Sequence, residues 1–292
     1  MSNYHVQIKA GNIIDTIGCL YNSLTPSSKR IADYVVLNPT QISKHSIANL
    51  SQIVNAGDAT IIRFCRTLGF KGYQDFKMEL AIEVSNFQGR EKEIFDTYVT
   101  PEDNAEMIGH KLKTAIESVL SETMNLLDFQ CLESVAEILK DTKAIYFFGV
   151  GSSGLTAESA KHKFMRIGLN VDAFTNNHFM YIKSSLIHAG DVAIGISHSG
   201  SSIETTKALR LAKENGAVTI AITHNPRSDI TKFSDYVLVN GNQQGQLQGD
   251  SIGTKISQFF VLDLIYTLLV QHDITGAKTN KLKTTEALCN KS

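Results

Sequence analysis

The feature that most constrains the fold is an alternation of apolar runs and helical stretches that begins at residue 143. Short apolar runs without internal alternation are typical of strands buried on both faces of a parallel sheet. The predicted strands are 144–148, 170–174, 192–196, 218–223 and 236–239, and the predicted helices between them are 155–167, 178–187 and 203–215. Strands that alternate with helices in this way predict an α/β doubly wound parallel sheet.

The first third of the chain is predicted to be all helical. Thr25-Pro26 is a typical helix start, and Asn38-Pro39 ends that helix. A short helix from Ser46, a tight turn at Asn55-Ala56-Gly57 and a third helix over 58–68 follow. Two helices joined by a short turn that contains glycine form the helix-turn-helix pattern.

Length and composition indicate two folded domains. The chain has 292 residues, of which 42% are hydrophobic, and this excludes disorder and small disulfide scaffolds. We predict a helix-turn-helix domain over 1–85, a polar linker over 86–105 and an α/β domain with flanking helices over 106–292. The first 85 residues hold eight basic and six acidic side chains, a balance compatible with a nucleic-acid face.

The cysteines and the longest apolar stretch suggest a cytoplasmic protein. The four cysteines lack the CxxC spacing of a zinc site, so we expect reduced thiols and no metal. The stretch 259–270 has 12 residues and is interrupted by Asp263, so no membrane span is predicted. No pattern calls for a cofactor.

The third helix has the two faces of a DNA-reading helix. Its apolar residues are Ile61, Phe64, Cys65 and Leu68, and its polar residues are Thr60, Arg63, Arg66 and Thr67. Arginine can bind guanine O6 and N7 or a phosphate, so this face suits the major groove. Lys71, Tyr73 and Lys77 could extend the contact along the backbone. The alternative is an ordinary solvated surface.

A glycine-rich loop follows the first predicted strand. The segment Gly149-Val150-Gly151-Ser152-Ser153-Gly154 reads GxGxxG, the dinucleotide-binding pattern, with Asp172 in the next strand. Asp172 lies in the middle of that strand, whereas the acid that binds a ribose belongs at the strand end. A dinucleotide is therefore disfavoured.

A second loop, Ser197-His198-Ser199-Gly200-Ser201-Ser202, follows another predicted parallel strand. Its four hydroxyls lie beside backbone N–H groups at a helix N-terminus, which together can hold a phosphate. Two such loops at the carboxyl ends of strands in one sheet predict a single crevice. A monophosphate on a small polyol suits this crevice better than a long dinucleotide.

These motifs resemble a known family. The two loops resemble those of the sugar isomerase (SIS) domain, and the stretch 60–73 resembles the helix-turn-helix of the RpiR/MurR transcriptional regulators. The resemblance covers nearly the whole chain. It implies a regulator that binds double-stranded operator DNA, forms a homodimer or higher homo-oligomer, and senses a phosphorylated sugar.

The resemblance also implies roles for single residues. Ser153, Ser197, Ser199 and Ser202 match positions that hold the phosphate, and Ser152 lies beside them. His178 matches a position that faces the sugar, and Lys255 stands before the final helix where many relatives have arginine. The family usually has serine at the cap of the recognition helix, whereas this chain has Gly57-Asp58.

A narrower resemblance concerns residues 248–251 and Gln258, which are similar to regulators of sialic-acid catabolism that respond to N-acetylmannosamine 6-phosphate. We therefore expect a repressor of a sugar or amino-sugar operon. The alternative is a sugar-phosphate isomerase that uses His178 or Glu204 as acid and base. An isomerase has no use for a helix-turn-helix.

Overall fold

The structure is a computed structural model, and it describes residues 13–86, 100–241 and 252–289. The chain divides into two compact units, 1–95 and 96–292, each with its own hydrophobic core. Most of the predicted linker, residues 87–99, lies outside the described residues, so its bounds stay a prediction.

The described residues of the first unit, 13–86, form six α-helices. They are α1 (Ile13–Leu20), α2 (Pro26–Leu37), α3 (Pro39–Ile42), α4 (Ile47–Val54), α5 (Asp58–Thr67) and α6 (Tyr73–Asn86). Their apolar faces meet in one core that contains Ile31, Leu50, Ile61 and Phe64. The predicted all-helical fold of this unit is confirmed.

The predicted helix starts carry the expected caps. The Thr25 side chain accepts a hydrogen bond from the Ser28 backbone N–H, and Ser46 does the same for Asn49. Asn55 ends α4 in the left-handed conformation, with φ of 48°. Asparagine tolerates that conformation better than most residues, so the predicted turn forms between α4 and α5.

The second unit contains five strands and seven helices within the described residues. They are α7 (Ala105–Leu126), α8 (Phe129–Lys140), β1 (Ala144–Phe148), α9 (Gly151–Met165), β2 (Val171–Phe174), α10 (Asn177–Ser184), β3 (Asp191–Ile196), α11 (Ile203–Glu214), β4 (Val218–Thr223), β5 (Tyr236–Val239), α12 (Ile252–His272) and α13 (Ile274–Cys289). The predicted strands are confirmed to within a residue. The predicted helix 155–167 begins four residues earlier, because the glycine-rich loop itself forms the first turn of α9.

All five strands are parallel, in the order β2-β1-β3-β4-β5. The order reverses direction between β1 and β3, and this reversal is the switch point where doubly wound sheets bind ligands. Phe148 at the end of β1 pairs with Gly195 near the end of β3. The two loops of interest therefore follow neighbouring strands.

Helices cover both faces of the sheet. One face packs against α8, α9 and α12, and the other packs against α10 and α11. Along β1, Ile145 and Phe147 belong to the first core, whereas Tyr146 and Phe148 belong to the second. The doubly wound α/β class is confirmed.

The helix α12 is longer than its apolar stretch predicts. It spans 21 residues and, by length and composition alone, could cross a membrane. Its buried residues Val261, Leu262 and Ile265 pack into the core beside the sheet, which is typical of the core helix of a soluble domain. Lys255, which the resemblance places before the final helix, lies in the first turn of α12, because the polar residues that precede the apolar stretch are helical as well.

Candidate functional site

Glycines shape the loop after β1, residues 149–153, which we call the first loop. A Cβ at Gly149 would lie 2.6 Å from the Ser153 carbonyl oxygen, so only glycine fits there. Gly151 has φ of 57°, a conformation that favours glycine. Val150 precedes α9, and among the described residues no side chain caps this helix. Its first N–H groups are therefore available to an anion.

Two serines of the first loop lie in the first turn of α9. The Ser152 hydroxyl is buried and, within the described part of the chain, has no hydrogen-bond partner. The Ser153 hydroxyl accepts a hydrogen bond from Gln258 Nε2 at 3.1 Å. A buried hydroxyl without a partner is costly, so Ser152 is well suited to a polar ligand.

The second loop, residues 197–202, uses its serines in different ways. Ser197 is buried and follows β3 directly, whereas Ser199 is exposed and accepts hydrogen bonds from the Ser201 N–H and hydroxyl. Ser202 caps α11 by accepting from the Thr205 N–H, and it donates to Glu204. The Ser202 hydroxyl thus serves its own helix in this structure.

The tight path of the second loop depends on Gly200, which has φ of 66°. A Cβ at Gly200 would overlap the Ser228 side chain, since it would lie 1.8 Å from Ser228 Oγ. The Gly200 carbonyl accepts from the Ile230 N–H at 3.0 Å, and its own N–H donates to Ser197. These contacts hold the loop at the end of β3.

His178 and Lys255 reach the same edge of the sheet from other elements. His178 lies in the first turn of α10, just after β2, and is exposed. Lys255 is half-buried and lies one turn before Gln258, the residue that contacts Ser153. The structure thus places the predicted ligand residues around one edge of the sheet. Among the described residues, however, no contact joins the side chains of Ser202 and His178.

A buried polar network lies under the two loops, and sequence reasoning missed most of it. The Asn240 side-chain amide donates to the Ser257 hydroxyl at 2.8 Å and lies 3.4 Å from His198 Nδ1. The His198 and His224 rings stack with centroids 5.1 Å apart. These residues lie just after β5, in α12 and in the loops after β3 and β4, so no local pattern brings them together.

The dinucleotide interpretation finds no support in the geometry around Asp172. Asp172 lies inside β2, as predicted, and its carboxylate is 2.8 Å from the Lys161 ammonium. Burial raises the pKa of Asp172, but the Lys161 hydrogen bond and the Ala173 N–H outweigh burial and lower it. Asp172 is thus engaged with protein groups. No group of metal-ligating side chains is found within residues 13–86, 100–241 and 252–289.

The helix α5 presents the predicted polar face. Ile61, Phe64 and Cys65 are buried, while Arg63 and Arg66 are exposed. Neither guanidinium forms an ion pair with any described carboxylate. Burial raises the pKa of Cys65 to about 12, so its thiol stays protonated in the core. Two such guanidiniums on one exposed face fit the backbone or base edges of DNA.

The neighbours of α5 contribute less than the sequence suggests. Thr60 is half-buried in the first turn of α5, and Lys71 is exposed beyond the end of this helix. Tyr73 and Lys77 are predicted either to extend the phosphate contact or to be ordinary surface, and in the structure both contact the first unit itself. The Tyr73 ring is in the core, and its hydroxyl and the Lys77 ammonium both donate to the His45 carbonyl.

Comparisons with known proteins cover both units. Residues 11–87 match the helix-turn-helix domain of the rpiR family, and residues 138–268 match the SIS domain. An HTH-type transcriptional regulator of Haemophilus influenzae is 52% identical over 276 residues, which are 94% of this chain and 96% of that relative. A second, from Clostridium perfringens, is 34% identical over 91% of this chain and 95% of its own length.

Among solved structures, the Vibrio vulnificus NanR protein complexed with ManNAc-6P is similar with a TM-score of 0.61. The alignment covers 95% of this chain and 98% of that chain, at 23% sequence identity. At this identity the similarity shows a shared fold.

A helical unit with a helix-turn-helix, followed by a parallel sheet of the SIS type, defines a DNA-binding transcriptional regulator with an SIS domain. The relatives that match nearly the whole chain are named as such regulators, in agreement with the prediction of a regulator and not an enzyme. The chain belongs to the RpiR family of helix-turn-helix transcriptional regulators.

Proposed function

We propose that this regulator is a repressor of an operon for sugar or amino-sugar catabolism, controlled by a phosphosugar that binds the crevice between the first and second loops. N-acetylmannosamine 6-phosphate is the effector we propose. The protein acts in the cytoplasm on double-stranded operator DNA, as a homodimer or higher homo-oligomer and without a cofactor. The proposed domains are 1–85 and 106–292, joined by the linker 86–105.

The observation that carries this proposal is the uncapped N-terminus of α9 with the buried Ser152 hydroxyl, which has no hydrogen-bond partner among the residues that the structure describes. A phosphate would accept hydrogen bonds from both, and the helix dipole favours its charge. The proposed effector contacts are Ser152, Ser153, His178, Ser197, Ser199, Ser202 and Lys255. The proposed DNA contacts are Thr60, Arg63, Arg66 and Lys71.

The choice of amino sugar draws on the NanR protein, which has the same fold and was solved with ManNAc-6P. The residues 248–251, which resemble sialic-acid regulators, lie outside the described residues. Gln258 is described, and it contacts the first loop. We propose a repressor because a cell needs catabolic enzymes only when their substrate is present. An intermediate of the pathway should therefore cause the regulator to release the operator.

Replacing Ser199 by glutamate tests the crevice. A carboxylate would repel the phosphate dianion, and because Ser199 is exposed we expect at least about tenfold weaker effector binding, or about 1.4 kcal/mol. Fluorescence anisotropy on labelled operator, with and without N-acetylmannosamine 6-phosphate, measures the response. Ser134→Glu, on an exposed face of α8, is the control and should respond as the wild type does. Normal sensitivity of Ser199→Glu would place the phosphate elsewhere.

Incubation with aldose and ketose phosphates tests the isomerase alternative. We expect no turnover, because the relatives are transcriptional regulators. In this structure the Glu204 carboxylate accepts a hydrogen bond from Ser202, in the first turn of α11, where it also interacts favourably with the helix dipole. Turnover that disappears in Glu204→Gln would overturn this assignment.

A further inference from the structure

Gln258 is a polar side chain that is fully buried next to the first loop. It lies in α12, and both ends of its amide contact α9. Its Nε2 is 3.1 Å from Ser153 Oγ, and its Oε1 is 3.0 Å from Thr156 Oγ1. The Thr156 hydroxyl lies closer to Oε1 than to its other acceptor, the Ser152 carbonyl oxygen at 3.4 Å, so in this structure the amide oxygen faces Thr156.

This orientation determines what the Ser153 hydroxyl can do. Thr156 donates its hydrogen to Oε1, so the amide NH2 group faces Ser153. An NH2 group can only donate, so Ser153 Oγ must accept. The Ser153 hydrogen stays available, and among the described residues it has no protein acceptor.

A phosphate dianion offers only acceptors and therefore requires donors from its site. Ser153 lies at the uncapped start of α9, where the backbone N–H groups are donors as well. We propose that Gln258 is a positioning residue for the effector, which keeps the Ser153 hydroxyl as a donor towards the crevice. This inference rests on the proposed function, since it needs a phosphate in the crevice.

The neighbouring residue of α12 makes a parallel connection to the second loop. The Ser257 hydroxyl accepts from the Asn240 amide, which also lies 3.4 Å from His198 Nδ1. Of these two consecutive residues, Gln258 thus contacts the first loop directly, and Ser257 is connected to the second loop through Asn240. This arrangement suits a helix that fixes the positions of the two loops relative to each other, so that both can contact one ligand.

Gln258→Glu is the sharpest test, because it replaces the NH2 donor by an acceptor of nearly the same shape. Ser153 must then donate to the carboxylate, and a negative charge comes close to the phosphate. We expect about 100-fold weaker binding of N-acetylmannosamine 6-phosphate and of inorganic phosphate, by isothermal titration calorimetry. Gln258→Met, which removes both hydrogen bonds without adding charge, should weaken binding about tenfold.

The pH dependence separates positioning from a general loss of packing. As the pH falls, protonation lets the carboxyl group introduced by Gln258→Glu donate to Ser153 again. The ratio of variant to wild-type affinity should therefore rise for Gln258→Glu and stay constant for Gln258→Met. Thr219→Val is the control, because it removes another buried hydroxyl near the amino end of β4, and it should bind as the wild type does.

The outcomes separate this inference from the proposed function. If the wild type binds and both Gln258 variants bind within about twofold of it, Gln258 does not position Ser153, but the crevice stands. If the wild type binds neither probe, the inference and the proposed function both fail. If Gln258→Glu does not fold, as judged by circular dichroism, then Gln258→Met with wild-type affinity is sufficient to overturn the inference.

Discussion

We expect DNA binding to depend most on the side chains of Arg63 and Arg66. Both are exposed on α5, opposite the buried Ile61 and Phe64. If Arg63→Ala removes a base contact, operator binding should weaken by about 1–3 kcal/mol and sequence specificity should relax. If it removes a phosphate contact, the slope of log K against log salt concentration should instead become smaller in magnitude by about one. Anisotropy titrations at several salt concentrations distinguish these results.

A matched control for the arginines is Lys140→Ala, a cation on the second unit that pairs with Glu137. It should leave operator affinity unchanged. Normal operator binding by the double variant Arg63→Ala and Arg66→Ala would exclude α5 as the reading helix.

Arg30 stabilises the turn that positions α5. Its Nε donates to the Val54 carbonyl at 3.1 Å and one terminal nitrogen donates to the Asn55 carbonyl at 2.7 Å. A cation at the C-terminal end of α4 also interacts favourably with the helix dipole. Because Arg30 is exposed, we expect Arg30→Ala to lower the free energy of unfolding of the first unit by about 1 kcal/mol, measured by urea denaturation.

Arg30→Lys keeps the charge but loses the planar fork of donors, so its stability should lie between those of the wild type and Arg30→Ala. Equal stability of all three proteins would show that these hydrogen bonds contribute nothing to the first unit.

Asp235 joins the start of β5 to β4 and α11. Its carboxylate accepts from the Thr219 N–H and hydroxyl, each at 2.9 Å, and from Lys213 at 2.7 Å. Burial raises the pKa of Asp235, but the bonds from Lys213 and Thr219 outweigh burial and hold it below the usual value. Both partners therefore favour the charged carboxylate.

A lowered pKa in the folded state gives a definite sign to the pH dependence. The stabilisation is present above the unfolded pKa of about 3.9 and is lost as the pH falls through the folded value. Asp235→Asn should therefore unfold more easily at pH 7, and its stability should fall less than that of the wild type on acidification. Parallel stability curves from thermal melts across pH 7 to 3 would contradict this role.

Local sequence patterns predict the helices and strands of this chain better than the contacts between residues that lie far apart in sequence. The strands and the two loops follow from apolar runs and from glycine and serine at strand ends, so the position of the two loops after neighbouring strands could be predicted. The buried role of Gln258 could not, because Ser153 lies 105 residues away and Gln258 looks like a polar surface residue of a helix. Tyr73 was misread for a similar reason, since its core partners belong to distant helices.

The two units have separate cores, so the whole chain should unfold in two thermal transitions. N-acetylmannosamine 6-phosphate at 100 times its Kd should stabilise the second unit by about 2.7 kcal/mol, and operator DNA should stabilise the first. Differential scanning calorimetry measures both shifts. Arg30→Ala identifies the transition of the first unit, because it should lower the Tm of that transition and leave the other Tm unchanged. A single transition that both ligands shift equally would contradict independent units.

The contact between Gln258 and Ser153 also sets an order of events during synthesis. The first unit is complete once α6 has left the ribosome, whereas the sensor waits for α12 to return to a loop made 105 residues earlier. At about 5–20 residues per second, this wait lasts about 5–20 s. A nascent chain therefore carries a folded helix-turn-helix unit before its SIS domain is complete. We expect chains that terminate prematurely before α12 to escape induction.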